Sequence, residues 1–348
     1  EFLTKYNELY PTLTKLNGTA LFFARGVDRV PPYIVQTLFV NNILYKDNIF
    51  VQINKANEPF GLHYDIVQVA EGLRILRIDV GYMDVLKLEK VLKALDIARN
   101  AGSFGAHLGG SFSIMEILAC LYEVANWHPD DESRDRIILS KGHGALALYT
   151  ALWQHGILTD DDLTTFDTNG TTLHTHAKRN LKRKIEFSGG SLGLGLSYSI
   201  GVALACKRND INNRIFCIVG DGEMQEGIVW EALMAAAHYR LSNLTVIIDR
   251  NNLQIDGETE TVMSIKPLNE RLRSFGMIVE QIDGHNIPQI ISALQVSTNQ
   301  PIAIIANTTK GNGISFLENQ RQSHQYALNE RQYQQAVEDI KIYYGQND

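Results

Sequence analysis

The chain has 348 residues, 45% of them hydrophobic and 20% charged, with a formal net charge of −7 at pH 7. That is globular material, long enough for two domains, and its acidic balance argues against a nucleic-acid partner. No segment approaches the roughly 20 consecutive apolar residues of a spanning helix.

In chain order, residues 1–84 come first and have their own texture. Thr19-Ala20-Leu21-Phe22-Phe23, Asn48-Ile49-Phe50-Val51-Gln52-Ile53 and Leu73-Arg74-Ile75-Leu76-Arg77-Ile78 are expected strands, the last alternating like a half-exposed sheet. Pro31-Pro32 opens an apolar helical pattern over residues 33–39. Together these predict a small α+β module. From residue 85 to 348 the pattern changes to helix, strand, helix. Residues 85–99 show helical spacing, which Asn100-Ala101-Gly102-Ser103 breaks. Ser113, with Glu116 three residues on, predicts a capping box. Thr159-Asp160-Asp161-Asp162 predicts a short acidic helix, and residues 168–191 read as a long polar, basic loop. Cys120, Cys206 and Cys217 lie in apolar runs and are expected to be reduced core residues of a cytoplasmic protein.

The most telling stretch follows. Ile215-Phe216-Cys217-Ile218-Val219 is an unbroken apolar run, as expected of a strand buried on both faces of a parallel sheet. It ends at Gly220-Asp221-Gly222-Glu223. After a helical stretch over residues 228–239, a second run, Leu244-Thr245-Val246-Ile247-Ile248, ends at Asp249-Arg250-Asn251-Asn252. Two strand ends can thus present Asp221 and Asn251 to one hard cation, magnesium or calcium. Taken singly, Asp221 reads as a helix cap and Asn251 as a turn residue. Their combination across strand, helix and strand favours the metal. Gly276-Met277-Ile278-Val279 and Pro301-Ile302-Ala303-Ile304-Ile305 add two more candidate strands, so the predicted fold is α/β, with a doubly wound, mainly parallel sheet.

This arrangement resembles the diphosphate-binding motif of thiamine diphosphate enzymes. Its neighbours narrow the resemblance to the amino-terminal half of transketolase. They are Gly220-Asp221-Gly222-Glu223-Met224-Gln225-Glu226-Gly227, Asn251-Asn252-Leu253-Gln254-Ile255-Asp256-Gly257, Ser140-Lys141-Gly142-His143-Gly144 and Gly105-Ala106-His107-Leu108-Gly109-Gly110. The resemblance implies thiamine diphosphate and Mg2+ (or Ca2+) as cofactors, with Asp221, Asn251 and the Leu253 carbonyl as metal ligands. It implies that Gly220 and Gly222 admit the diphosphate and that His143 contacts it. Gly190 and Leu192 would line the aminopyrimidine, although Leu194 stands where the family usually has Gln. His107 and His176 would meet the sugar phosphate substrates, with His174 a rival to His176. Glu226 would sit at a homodimer interface that links two sites. His324 lies where a further substrate histidine is expected but lacks the family's following glycine, so it is left unassigned. Lys310 could reach a phosphate.

Gly18-Thr19-Ala20-Leu21-Phe22, Val30-Pro31-Pro32, Asn41-Asn42-Ile43-Leu44 and Gly81-Tyr82-Met83 resemble the cytoplasmic carboxyl-terminal domain of KUP-type potassium uptake transporters. The chain opens at Glu1-Phe2 rather than at Met, which suggests a piece of something longer. In the transketolase resemblance, the glutamate that activates the aminopyrimidine belongs to a pyrimidine-binding domain that follows this region. Three readings result: a transketolase half completed by a separate carboxyl-terminal chain, the cytosolic ligand-sensing part of a potassium transporter with a membrane region upstream, or a dimerising pseudoenzyme.

Overall fold

The computed structural model describes residues 2–24, 30–55, 62–80, 88–101, 105–127 and 133–344. The chain falls into two compact units, Glu1–Asp84 and Val85–Asp348. The first unit contains α1 (Phe2–Leu9), β1 (Leu16–Phe23), α2 (Pro32–Val35), β2 (Tyr45–Lys55), β3 (Leu62–Ala70) and β4 (Leu73–Val80). Its sheet has the order β1-β2-β4-β3, with β3 and β4 forming an antiparallel hairpin and the other pairings parallel. One face packs Phe22, Phe50, Leu73 and Ile75 against Tyr6, Ile34 and Leu38. Asn48 is fully buried there and donates to the Tyr6 hydroxyl at 3.1 Å and to the Tyr45 carbonyl at 2.8 Å, which satisfies its amide.

Two expectations for this unit change. The helix over residues 33–39 is α-helical only to Val35. From Gln36 to Val40 the turn widens, and the Asn41 N–H reaches back to Gln36. β3 was not anticipated, although Leu62-His63-Tyr64-Asp65-Ile66 alternates apolar and polar residues; it is an edge strand whose Tyr64 and Ile66 are 69% and 50% exposed. Gly81-Tyr82-Met83 lies outside the described residues.

The second unit begins with α3 (Leu88–Asn100), α4 (Leu108–Phe112), α5 (Met115–Val124), β5 (Arg136–Leu139), α6 (Ala145–Gln154) and α7 (Asp160–Thr164). It continues through α8 (Leu194–Arg208), β6 (Ile215–Gly220), α9 (Gly227–His238) and β7 (Leu244–Arg250). The small hairpin of β8 (Leu253–Gln254) and β9 (Gly257–Glu258) leads into α10 (Thr259–Val262) and α11 (Leu268–Ser274). β10 (Ile278–Asp283), α12 (Ile287–Leu294), β11 (Ile302–Asn307) and α13 (Glu330–Tyr343) close it. Residues 85–87 and the helix-breaking Gly102-Ser103 lie outside the described residues.

Five strands form one sheet of order β10-β11-β7-β6-β5, and every pairing is parallel. β6 and β7 are buried along their whole length, as their unbroken apolar runs require. Cys217, Val219, Val246, Ile248 and Ile305 pack with residues of α8, α9 and α11, while Phe216, Ile218, Ile247 and Ile304 alternate to the opposite face and are equally buried. The sheet is therefore doubly wound. The chain steps from β5 to β6 to β7, then passes over to β10 and returns to β11. Ligands of such sheets sit beyond the carboxyl ends of the strands.

The expected short acidic helix is present as α7, and Thr159 and Asp162 bond reciprocally at its start. The expected box at Ser113 is absent, because its parts are engaged elsewhere. α5 starts at Met115 without a side-chain cap. Ser113 Oγ instead donates to Asp249 at 2.7 Å. Glu116 turns inward, accepting from the Tyr344 hydroxyl at 2.9 Å and from Asn312 at 3.1 Å. Cys120, Cys206 and Cys217 are buried, and among the described residues they form no disulfide. Among the described residues no helix is long and apolar enough to cross a membrane.

Candidate functional site

Asp221 follows directly on β6 and is 2% exposed. Its Oδ1 accepts from the Gly222 N–H at 2.8 Å, and its Oδ2 from the Asn252 N–H at 2.6 Å and Thr259 Oγ1 at 3.2 Å. Asn252 adopts φ 63°, a left-handed conformation that asparagine tolerates, and this turns the chain after β7 back toward β6. Asn251 is thereby held by Asp249, to which its Nδ2 donates at 2.9 Å, and by the Leu253 N–H, which donates to its Oδ1 at 3.1 Å. The Leu253 carbonyl accepts from Lys310 Nζ at 3.2 Å. Burial and then the nearby Asp249 push the Asp221 carboxyl up to about 6, and it has no ion-pair partner among the described residues. A buried carboxylate without a cation, beside an amide oxygen and a carbonyl that already accepts a positive charge, fits a hard metal ion.

A second carboxylate lies one strand over. Asp249 is fully buried, yet Lys141 forms an ion pair with it, and Ser113 and Thr308 donate hydrogen bonds to it. Burial pushes Asp249 up, but the Lys141 charge and these donors hold it below the usual carboxylate range. Lys141 Nζ also donates to the Gly110 carbonyl at 2.9 Å. Glu223, the fourth residue of the Gly-Asp-Gly-Glu run, is buried and raised by burial. It accepts from Ser140 Oγ, from the Gly193 N–H at 2.7 Å and from the Gly220 N–H at 3.0 Å. It therefore ties β6 to the start of α8. Sequence reasoning gave Asp249, Lys141 and Glu223 no role. For Asp249 the available signal was its placement directly after the apolar run Val246-Ile247-Ile248.

A cavity of about 390 Å³ opens at these strand ends, and its walls include Gly220, Asp221, Gly222, Asn251, Leu253, Leu192, Glu226 and Lys310. His143 and His324 line it as well. The rings of His107 and His143 are 4.6 Å apart, those of His143 and His324 4.5 Å, and His176 stands 5.0 Å from both His107 and His143. Burial lowers three of them: His107 to about 3, His324 to about 4, and His143 well below its ordinary value. These three imidazoles are neutral at pH 7. His176 rather than His174 belongs to the group; what His174 offers is its backbone carbonyl, bonded by the Tyr149 hydroxyl at 2.8 Å. His324 joins the cluster although its sequence context left it unassigned.

Glycine permits this packing at Gly142. A Cβ there would meet His176 Nδ1 at 2.6 Å and the Gly190 nitrogen at 3.2 Å. Gly190 itself, at φ +132°, has open space where a side chain would be. Glu226 is exposed and precedes α9, and its side chain makes no capping bond. Leu194 is 44% exposed at the first position of α8. A further brace holds the loop that carries Lys310. The Thr309 N–H donates to His285 Nε2 at 2.8 Å, and the opposite nitrogen, Nδ1, meets Glu116 at 3.1 Å.

Residues 84–348 match the transketolase family, thiamine diphosphate binding domain, and residues 17–123 match the K+ potassium transporter C-terminal domain. The chain is 39% identical to the 6-deoxy-6-sulfo-D-fructose transketolase subunit of Clostridium sp. (strain MSTE9), over 74% of this chain and 97% of that one. It is 36% identical to an apulose-4-phosphate transketolase subunit of Actinobacillus succinogenes, over 76% of this chain and 98% of that one. The crystal structure of transketolase from Campylobacter jejuni superposes with a TM-score of 0.68 at 27% identity, covering 76% of this chain. This chain spans 44% of that larger one.

Proposed function

The chain belongs to the transketolase thiamine-diphosphate-binding family, and we propose that it is the diphosphate- and metal-holding half of a ketol transferase whose pyrimidine-binding half is a separate chain. Support for the split comes from the two relatives above, both named as subunits and both spanned almost end to end. In this reading Asp221, Asn251 and the Leu253 carbonyl hold Mg2+, or Ca2+, and Lys310 gives up the carbonyl when the ion arrives. Gly220 and Gly222 leave room for the diphosphate, His143 contacts it, and Gly190 and Leu192 face the aminopyrimidine. When bound, thiamine diphosphate supplies the carbanion chemistry that moves a two-carbon ketol unit between sugar phosphates. The chain's own residues bind and orient. His107, buried and neutral, and His176 beside it offer ring nitrogens to sugar hydroxyls. Glu226, exposed at the start of α9, is assigned to contact with a second copy in a cytoplasmic homodimer.

One observation carries the proposal: a buried Asp221 carboxylate with no ionic partner among the described residues, at a parallel strand end facing the cavity. Isothermal titration of thiamine diphosphate in the presence of Mg2+ tests it. Asp221→Ala should abolish metal-dependent binding while leaving the circular dichroism spectrum intact. Unchanged affinity in that variant would remove the metal assignment.

The match of residues 17–123 to a transporter domain favours a second reading, a catalytically inactive ligand-sensing region of a potassium uptake protein. Gene neighbourhood separates the two: an adjacent transketolase carboxyl-terminal half supports the first, an upstream multi-helix membrane segment the second.

A further inference from the structure

The loop that carries Lys310 is pinned residue by residue where it leaves β11. The Thr308 N–H donates to the Arg250 carbonyl at 3.2 Å, and the Gly311 N–H to the Gly109 carbonyl at 3.0 Å. Asn312 Nδ2 donates to Glu116 Oε1 at 3.1 Å and to the Tyr343 hydroxyl at 3.0 Å. Thr309 is held differently: its N–H donates to a side-chain nitrogen, His285 Nε2, at 2.8 Å. An imidazole nitrogen accepts only while it is unprotonated. The bond therefore fixes the ring proton on Nδ1, which donates to Glu116 Oε2 at 3.1 Å. Gly284 permits this close approach, since a Cβ there would meet Thr308 Cγ2 at 2.3 Å.

We propose that His285 is a positioning residue for this loop, holding Thr309 and with it the adjacent Lys310 while neutral, and releasing them when it takes up a proton. Protonation turns Nε2 into a donor aimed at another donor, which the Thr309 contact does not survive. The surroundings bring that event close to neutral pH. Burial disfavours the imidazolium, but the charge and hydrogen bond of Glu116, with help from Asp249 and Asp283, outweigh it and raise the pKa above the ordinary histidine value. Asp249 is already paired with Lys141, and Glu116 is fixed by the Tyr344 hydroxyl, which donates to it at 2.9 Å. The helix that follows His285, α12, carries no charged residue, and the loop's cation, Lys310, is on the Leu253 carbonyl at 3.2 Å. The Thr309 bond favours the neutral ring and the carboxylates favour the charged one. That opposition makes the hold respond to pH. Its consequence for cofactor binding rests on the function proposed above, but the hold on Thr309 does not.

Hydrogen exchange at the Thr309 amide of the full chain, followed by NMR and corrected for the intrinsic pH dependence of exchange, reads the hold directly. Protection should fall about fivefold to tenfold, the worth of one such bond, between about pH 8 and about pH 5.5. His285→Gln spans the same two partners, with its oxygen toward Thr309 and its NH2 toward Glu116, and has no proton to gain. Thr309 protection in that variant should match the unaltered chain at the alkaline end and stay flat on acidification, which a misfolded variant cannot imitate. Isothermal titration of thiamine diphosphate with Mg2+ then compares the two proteins at about pH 8 and about pH 6, where the ligand's own ionisation cancels between them. The unaltered chain should lose several-fold more affinity than His285→Gln. Protection indifferent to pH, or falling equally in His285→Gln, would overturn the hold. Equal losses of affinity in the two proteins would overturn its reach to Lys310. No binding of thiamine diphosphate at either pH would sink the proposed cofactor site and that reach together, with the hold still decided by exchange.

Discussion

Replacing Lys141 by Met probes the buried charge pair beneath the proposed cofactor site. The Lys141 side chain is 6% exposed and that of Asp249 0%, so the variant leaves a carboxylate with neither solvent nor counter-ion. Breaking a buried pair in this way costs about 3–5 kcal/mol. Asp249 keeps donors in Ser113, Thr308 and Asn251, which places the expectation near the lower bound, about 3 kcal/mol. For a unit of this size 1 kcal/mol moves the melting temperature by about 2–4 °C, so the drop should be about 6–12 °C. Differential scanning calorimetry is the assay, because two units need not unfold together and only the transition of residues 85–348 should move. Adding Asp249→Asn removes the stranded charge while keeping an acceptor, and should recover most of the loss. The sign of the pH dependence also follows. In the unaltered chain the lowered Asp249 contributes stability that is present above about pH 4 and is lost as pH falls through its folded value. Without Lys141 burial would raise that carboxyl, so the penalty is largest at neutral pH and is relieved as the group protonates. The gap between the two melting temperatures should therefore narrow from pH 7 to pH 4. A drop below about 2 °C, or a gap that widens on acidification, would refute the reasoning.

His285→Phe should lower the melting temperature by removing both the acceptor of the Thr309 N–H and a partner of Glu116, a loss of about 1–3 kcal/mol. It should also weaken thiamine diphosphate binding in titration, because Lys310 sits next to Thr309; affinity unchanged beside a lowered melting temperature would confine His285 to scaffolding. With this chain alone, proton exchange at the thiazolium C2 of added thiamine diphosphate, followed by NMR in deuterated buffer, should run no faster than in free cofactor. Markedly faster exchange would make the proposed partner chain unnecessary.

What the sequence disclosed depended on whether a residue's role was local. β6 and β7 were legible because central parallel strands are apolar on both faces, and the Gly-Asp-Gly turn is written in consecutive residues. The short acidic helix after Thr159 was legible for the same reason, since the pair that caps it, Thr159 and Asp162, lies within one helical turn. Ser113 and Glu116 carry the same local pattern, but their side chains serve contacts with Asp249 and with Tyr344, which no short window contains. β3 went unread although Leu62-His63-Tyr64-Asp65-Ile66 alternates, and its place at the edge of the sheet depends on neighbours that no short window contains. His324 looked unassignable in its own segment, and only folding brings its ring to 4.5 Å from His143.

The two aspartates at the strand ends make the strongest argument about what this site is built to do. Both are buried, and both follow apolar strand residues. They differ in one respect. Asp249 has a lysine 108 positions away in the chain brought onto it, and its carboxyl is held low. Among the described residues Asp221 receives backbone and hydroxyl donors alone, and burial and Asp249 raise it to about 6. Lys310, the other buried lysine of the site, is on the Leu253 carbonyl rather than on Asp221. A scaffold needing only stability would neutralise both carboxylates or use neither. The asymmetry is what the proposed cation site requires: one carboxylate paired to fix Asn251 in place, and its neighbour without a charge partner among the described residues, which in that proposal a metal would neutralise.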